Sequence, residues 1–277
     1  MKLGRRFIRR KMASLTYGPL TAYPILFANG FPKSGTHLLL QLLRGLSKLG
    51  PVVDSGLPAI VMYEGASGRE RSVEEILGEL NRLQPGDIAY GHLHAKPSIL
   101  KVLTAGNYIP FFIYRDPRDV VVSHVFYVTE IEMNHVHHRY YTDVLESFDE
   151  RLMTSILGIS GSKIPFPDIN NRFEPYLGWM YSPLTLSLRY EDFLLNLETT
   201  LARIIERAKS GGFPLQVTQE KAIDHLKLEI DPNKSPTFRS GKVGKWKEYF
   251  NEHHIKIFKE ISGDLLIRLG YEKDKNW

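Results

Sequence analysis

This 277-residue chain contains no cysteine, which excludes disulfides and thiolate metal sites and fits a reducing, cytoplasmic setting. Acidic residues are missing from the first 53 positions, where nine Lys or Arg precede Asp54. The rest carries 27 basic against 31 acidic residues, so the whole net charge of +5 resides at the front. Such a front suits an anionic ligand, a membrane surface or nucleic acid. No apolar run approaches the ~20 residues that span a bilayer, and the opening stretch lacks the apolar core of a secretory signal. Internal repeats and low-complexity tracts are absent too. With 43% apolar and 24% charged residues, the composition is that of one large globular domain.

The organisation expected is a basic arm over residues 1–20 and a domain over 21–277. The arm, MKLGRRFIRRKMASL, reads first as a solvated basic terminus. Two other readings stay open: a peripheral membrane-surface helix with Leu3, Phe7, Ile8 and Met12 on its apolar side, or a transit segment. Only Phe7 interleaves the arginines, a poor platform for stacking bases, so no nucleic-acid partner is expected.

Beyond the arm, PILFAN (24–29) reads as a short buried strand that runs through a Gly-Phe-Pro turn into a helix over 36–49. A second buried strand, IPFFIY (109–114), precedes RDPRD and the apolar segment 120–128. Between them a helix is expected over 72–83 and a strand over 87–90, ending at His92. A further strand is expected over 185–189 and a helix over 198–209. Strands alternating with helices predict an α/β fold with a central, mainly parallel sheet flanked by helices, a nucleotide-binding architecture of P-loop-like type. Ligands in such sheets collect at the carboxyl ends of strands. Residues 129–180, rich in aromatics and histidines without a strand period, are expected to be an insertion that recognises substrate.

Residues 30–37, GFPKSGTH, have the ingredients of an anion cradle. Gly35 permits a tight turn, Lys33 adds a mobile charge, Ser34 and Thr36 add hydroxyls, and the helix behind adds its positive end. The triphosphate loop GxxxxGK[ST] is not matched, because the lysine lies inside the loop and none follows the second glycine. In residues 114–123, YRDPRDVVVS, the Arg115 fork and the Ser123 hydroxyl can serve one phosphate. Asp116 as a magnesium ligand, or Asp116, Arg118 and Asp119 as a surface ion-pair cluster, are the alternatives.

Four segments, PKSGT (32–36), YRDPRDVVVS (114–123), LRYEDF (188–193) and FRSGKVGKWKEYF (238–250), together resemble the sulfotransferases of cytosolic type that depend on 3′-phosphoadenosine 5′-phosphosulfate (PAPS). The resemblance implies transfer of a sulfuryl group to an acceptor hydroxyl, with no metal, leaving 3′-phosphoadenosine 5′-phosphate (PAP). It implies that Lys33, Ser34, Gly35 and Thr36, with His37 beside them, bind the 5′-phosphosulfate. Arg115 and Ser123 would hold the 3′-phosphate, Tyr190 would lie near the adenine, and Arg239, Ser240 and Gly241 would close over the 3′-phosphate. Lys33 and His92 are the implied catalytic pair, since histidine is the side chain tuned to accept a proton near neutrality. His94, expected to point away, and Glu64 are the competing bases.

The pattern also departs from that family. His37 stands where many relatives carry an aromatic, Ser240 replaces a cation, and Tyr90-Gly91-His92 lacks a second catalytic lysine. The dimer motif after Trp246-Lys247 lacks its Thr-Val pair, leaving the oligomeric state open. His135, His137 and His138 lack a carboxylate partner at ligand spacing and read as a polar loop. Phe126, Tyr127, Phe148, Phe166, Tyr176 and Trp179 either wall an acceptor pocket or pack a core. The acceptor itself is a hydroxyl-bearing small molecule, lipid or carbohydrate.

Overall fold

The computed structural model describes residues 2–161, 164, 166–235 and 241–277. Along the chain, α1 (Lys2–Tyr17) is followed by β1 (Ile25–Gly30), α2 (Thr36–Leu46), β2 (Val53–Asp54), β3 (Ile60–Val61) and α3 (Val73–Leu80). Next come β4 (Asp87–His92), α4 (Pro97–Thr104), β5 (Tyr108–Tyr114), α5 (Pro117–Phe126), α6 (Phe148–Leu157), α7 (Ile169–Phe173) and α8 (Gly178–Tyr181). The chain closes with β6 (Leu186–Arg189), α9 (Asp192–Leu195), α10 (Leu197–Ser210), α11 (Gln219–Glu229), α12 (Glu252–Ser262) and α13 (Leu265–Arg268). It divides into two compact units, residues 1–62, 71–114 and 177–238 in one, and 63–70, 115–176 and 239–277 in the other.

The first unit contains the sheet. Its strands run β2-β4-β1-β5-β6 with β3 added on β4, and every pairing is parallel. All six residues of β1 are buried, as a strand covered on both faces requires, and this is why PILFAN reads as a continuous apolar run. Leu39, Leu42, Leu43 and Leu46 of α2 pack with Leu26, Ile88, Phe111 and Ile113 into one core with Leu201, Ile204 and Ile205 of α10.

Pro110 lies inside β5, paired with Phe27, where a proline would ordinarily break the ladder. The carbonyls of Asn107 and Ile113 face β1 and that of Tyr114 faces the chain leaving β6, so the missing N–H of Pro110 falls on the β6 side. There β6 begins its pairing only at Phe111, and no hydrogen bond is forfeited.

The second unit is helical. Ser147 and Glu150 form a capping box that starts α6, and α5 packs on α6 and α6 on α12. Helix α5 itself opens on Asp116, whose carboxylate accepts the Arg118 N–H, with Pro117 at the first helical position.

The arm departs from the solvated terminus expected of it. Its residues form α1, Arg6 is buried, and Arg6 and Arg10 both pair with the fully buried Asp87. Among the described residues no helix is long and apolar enough to cross a membrane.

Candidate active site

In the first unit the loop between β1 and α2 gathers the expected anion donors at the carboxyl end of β1. Lys33 has φ 70°, the one non-glycine residue with positive φ among those described, a conformation that costs energy and persists where surrounding structure enforces it. Gly35 follows at φ 93° and caps α2 with no side-chain hydrogen bond. The Ser34 and Thr36 hydroxyl oxygens are buried and have no partner among the described residues. An uncapped helix start beside two orphaned hydroxyls has the donor set of an anion site.

Close packing holds the loop. A Cβ on Gly30 would lie 2.3 Å from Thr36 Oγ1, and one on Gly35 would lie 2.6 Å from the Tyr190 ring. Tyr190 is held in turn by its N–H donating to the Tyr114 carbonyl at 2.8 Å. The Tyr190 ring thus backs the loop at Gly35. His37 lies with its ring 6.0 Å from that of Tyr90, and burial lowers its pKa, with the charges of Lys33 and Arg44 adding to the fall.

His92, the last residue of β4, turns Nδ1 to the Gly30 carbonyl at 2.7 Å. Nδ1 donates that bond, so the basic lone pair is on Nε2. Burial lowers the imidazole to about 4, the bond to Gly30 opposing the fall and His37 and Lys33 adding to it. Two residues position this histidine through its neighbour: Asn29, unmarked in the sequence, and Trp179, marked there only as a pocket or core aromatic. Buried Asn29 donates Nδ2 to the Leu93 carbonyl at 3.0 Å and accepts the Leu93 N–H at 2.8 Å. Trp179, fully buried, donates Nε1 to the same carbonyl at 2.7 Å. The available signal was an asparagine in an otherwise apolar strand, which must find partners when buried.

His94 is buried. Its direction is not set by alternation, which would put residues two apart on one side, because β4 ends at His92. Glu64, in the second unit, is engaged on an exposed turn by Arg69 Nη2 at 2.6 Å and the Ser67 hydroxyl at 2.8 Å.

The second unit carries Arg115, Ser123 and Gly241. Arg115 Nη2 donates to Asp119 Oδ2 at 3.2 Å and to the Lys242 carbonyl at 3.1 Å. Asp119 also accepts the Gly244 N–H at 3.0 Å and the Trp246 N–H at 2.8 Å, so one carboxylate ties Arg115 to the segment after Gly241. Ser123 lies one turn beyond Asp119 on α5, on the same helix face. Gly241 has φ 58°. Arg239 and Ser240 fall outside the described residues.

Asp116 and Arg118 form neither a magnesium site nor a surface cluster. Both are buried, and Arg118 Nη2 donates to Asp116 Oδ2 at 2.7 Å while Nη1 donates to Glu272 Oε1 at 2.6 Å. The guanidinium also lies 4.3 Å from the Trp246 ring centre and 4.5 Å from that of Trp277.

The histidine run packs as a polar loop. His138 Nδ1 meets the Val128 carbonyl at 2.6 Å, and His135 Nδ1 accepts the His137 N–H at 3.2 Å. Among the described residues no group of three or more His, Asp or Glu could hold a metal. Of the aromatics proposed as a pocket wall, Trp179 and Tyr176 are core residues and Phe166 stacks on His124 at 4.7 Å. Phe126 and Phe148 form a half-buried triad with Tyr249.

Known proteins share this arrangement of elements. A family model described as sulfotransferase domain matches residues 25–270. No curated protein matches the chain. Among solved structures, mouse sulfotransferase SULT7A1 complexed with PAP aligns with a TM-score of 0.58 at 17% identity, over 92% of this chain and 89% of that one. Retinol dehydratase in complex with androsterone and PAP aligns with a TM-score of 0.57 at 19% identity, over 93% and 85%. Retinol dehydratase with retinol and PAP gives 0.56 at 19%, over 94% and 86%. At these identities the likeness is one of fold.

Proposed function

Because the chain belongs to the sulfotransferase domain family, we propose that it moves a sulfuryl group from PAPS to an acceptor hydroxyl by direct in-line displacement. The products are a sulfate ester and PAP. The observation that carries this reading is the uncapped start of α2, with the buried, unpartnered hydroxyls of Ser34 and Thr36, beside the neutral imidazole of His92.

PAPS supplies the activated sulfuryl group and its bisphosphate leaving group. Lys33, Ser34, Gly35, Thr36 and His37 take the 5′-phosphosulfate end, Arg115, Ser123 and Gly241 the 3′-phosphate, and Tyr190 backs the loop on the adenine side. His92 accepts the acceptor's proton on Nε2 as the acceptor oxygen bonds to sulfur. Lys33 and the loop N–H groups stabilise the charge that appears on the bridging oxygen as its bond to sulfur breaks. Burial is the main cause of the lowered His92 pKa, and an anion bound beside Lys33 offsets the smaller part that the lysine charge adds, raising the basicity of His92 when a proton must be taken. Sulfuryl transfer concentrates less charge than triphosphate chemistry, so one lysine and several neutral donors serve in place of a metal.

Residues 129–180 are assigned to acceptor recognition. Retinol and androsterone are named in the retinol dehydratase complexes, and a small apolar molecule bearing a hydroxyl is the acceptor class we assign to this chain.

Calorimetric titration tests the reading. PAP is expected to bind tightly, AMP far more weakly, and ATP with magnesium weakly. Tight binding of ATP–magnesium without binding of PAP would replace the sulfotransferase reading with that of a kinase.

A further inference from the structure

Helix α1 is packed inside out. An amphipathic helix docked on a globular domain ordinarily buries its apolar stripe and exposes its charges. Here Arg6 is buried on Asp87 and donates to the Arg82 carbonyl at 3.1 Å. Arg10 donates to Asp87 Oδ1 at 2.8 Å and to the Pro85 carbonyl at 2.9 Å, and Arg9 Nε to the Asp54 carbonyl at 2.9 Å. The apolar side chains turn outward instead: Phe7 is 69% exposed, Ile8 57%, Met12 64% and Leu15 81%. Ile8, Lys11, Met12 and Leu15 follow the i, i+3, i+4, i+7 spacing of one helix face, and Lys11 is exposed among them.

A second observation lies on the flank of that face. A cavity of about 280 Å³ is lined by Arg5, Arg9, Arg44 and Tyr90, among others. Arg44 pairs with Asp54 at 3.1 Å, leaving three guanidiniums against one carboxylate. Arg9 Nη2 is buried and has no hydrogen-bond partner among the described residues. Arg5 and Arg9 are one turn apart, bordering Met12.

We propose that α1 docks this protein on an anionic phospholipid surface, with Phe7, Ile8, Met12 and Leu15 entering the headgroup boundary and a lipid phosphate meeting the Arg5–Arg9–Arg44 cavity. An anionic lipid surface offers an apolar layer and phosphates side by side, matching both halves of this surface. A second copy pairing symmetrically through α1 would bring Lys11 against Lys11 with no acid on either α1 to offset it. An apolar protein groove leaves the arginine cavity unmatched, and a free anion leaves the apolar face uncovered. The inference is independent of the proposed reaction.

Cosedimentation of the full chain with vesicles of phosphatidylcholine, alone or mixed with phosphatidylglycerol, tests it, with thermal melting as a check on folding. The protein is expected to sediment with the mixed vesicles, to stay in solution with phosphatidylcholine alone, and to be released by high salt. The exposed double variant Ile8→Glu/Leu15→Glu and the variant Arg5→Glu/Lys11→Glu are each expected to lose sedimentation at an unchanged melting temperature. The proposal is overturned if wild-type protein ignores phosphatidylglycerol, if both vesicle types bind equally, or if either variant sediments like wild type. It is also overturned if wild type is a dimer in solution that Leu15→Glu separates, since a second copy then covers the face.

Discussion

At the scale of single residues, the site combines two unfavourable features, a lysine in left-handed backbone and a histidine held below its ordinary pKa. Lys33→Gly removes the backbone strain along with the charge, and is expected to raise the melting temperature while lowering kcat/KM by roughly 10²–10³-fold. Retained turnover would take Lys33 out of catalysis. His92→Gln is expected to lower kcat by about 10²–10⁴-fold with folding intact. The acid limb of kcat/KM should fall near pH 4, where free His92 gains its proton, and not near the ordinary 6.5. The same shift has a sign for stability. The folded chain binds fewer protons than the unfolded chain between these values, so stability falls as pH drops below 6.5 and levels off below about 4. Urea titrations of wild type against His92→Gln should show a stability difference that changes over that window and is constant above it.

At the scale of elements, two carboxylates fasten segments that sequence distance keeps apart. Asp119 receives two backbone N–H groups from residues 244 and 246 and the Arg115 guanidinium, and its side chain is 1% exposed. Asp119→Ala strands these donors, and is expected to cost about 3 kcal/mol in denaturant unfolding and to weaken PAP binding in calorimetry. Asp87→Ala does the same to Arg6 and Arg10, and frees α1. Limited trypsin digestion should then cut between Arg5 and Lys11 sooner than in wild type, while the sheet core resists as before.

At the scale of the whole molecule, a ligand that binds only the folded chain stabilises it by about 2.7 kcal/mol at a hundredfold excess over Kd. PAP is therefore expected to raise the melting temperature where AMP at equal concentration does not. Much of the fold was legible because parallel strands buried on both faces write themselves as apolar runs: β1 and β5 appear within a residue or two of where the sequence puts them, and the half-buried β6 does so through its Leu-Ser-Leu alternation. The two-residue strands β2 and β3 carry too few side chains to show a period, and α4, α11 and α12 went unassigned. In the candidate site, the loop from Lys33 to His37 was legible as an anion cradle from residue type and spacing, whereas His92 was singled out through the family resemblance and the fitness of histidine as a base. Asn29 was not legible, and Trp179 was legible only as a pocket or core aromatic, since a residue that acts by holding Leu93 leaves no local pattern. The inversion of α1 was illegible for a related reason. Its arginines look solvated until Asp87, far along the chain, is seen to receive them.

The placement of Arg118 against Trp246 and Trp277 makes the protein its own optical gauge. Two of its three tryptophans share one guanidinium, and the N–H of Trp246 is tied to Asp119. Any ligand that draws on Arg115 or shifts the chain after Gly241 perturbs the field around both indoles, so their emission changes in colour and intensity. Trp179, fixed in the core on the Leu93 carbonyl, contributes a steady background. If PAP is held by Arg115 as proposed, its occupancy is expected to be readable by intrinsic fluorescence, with no label attached.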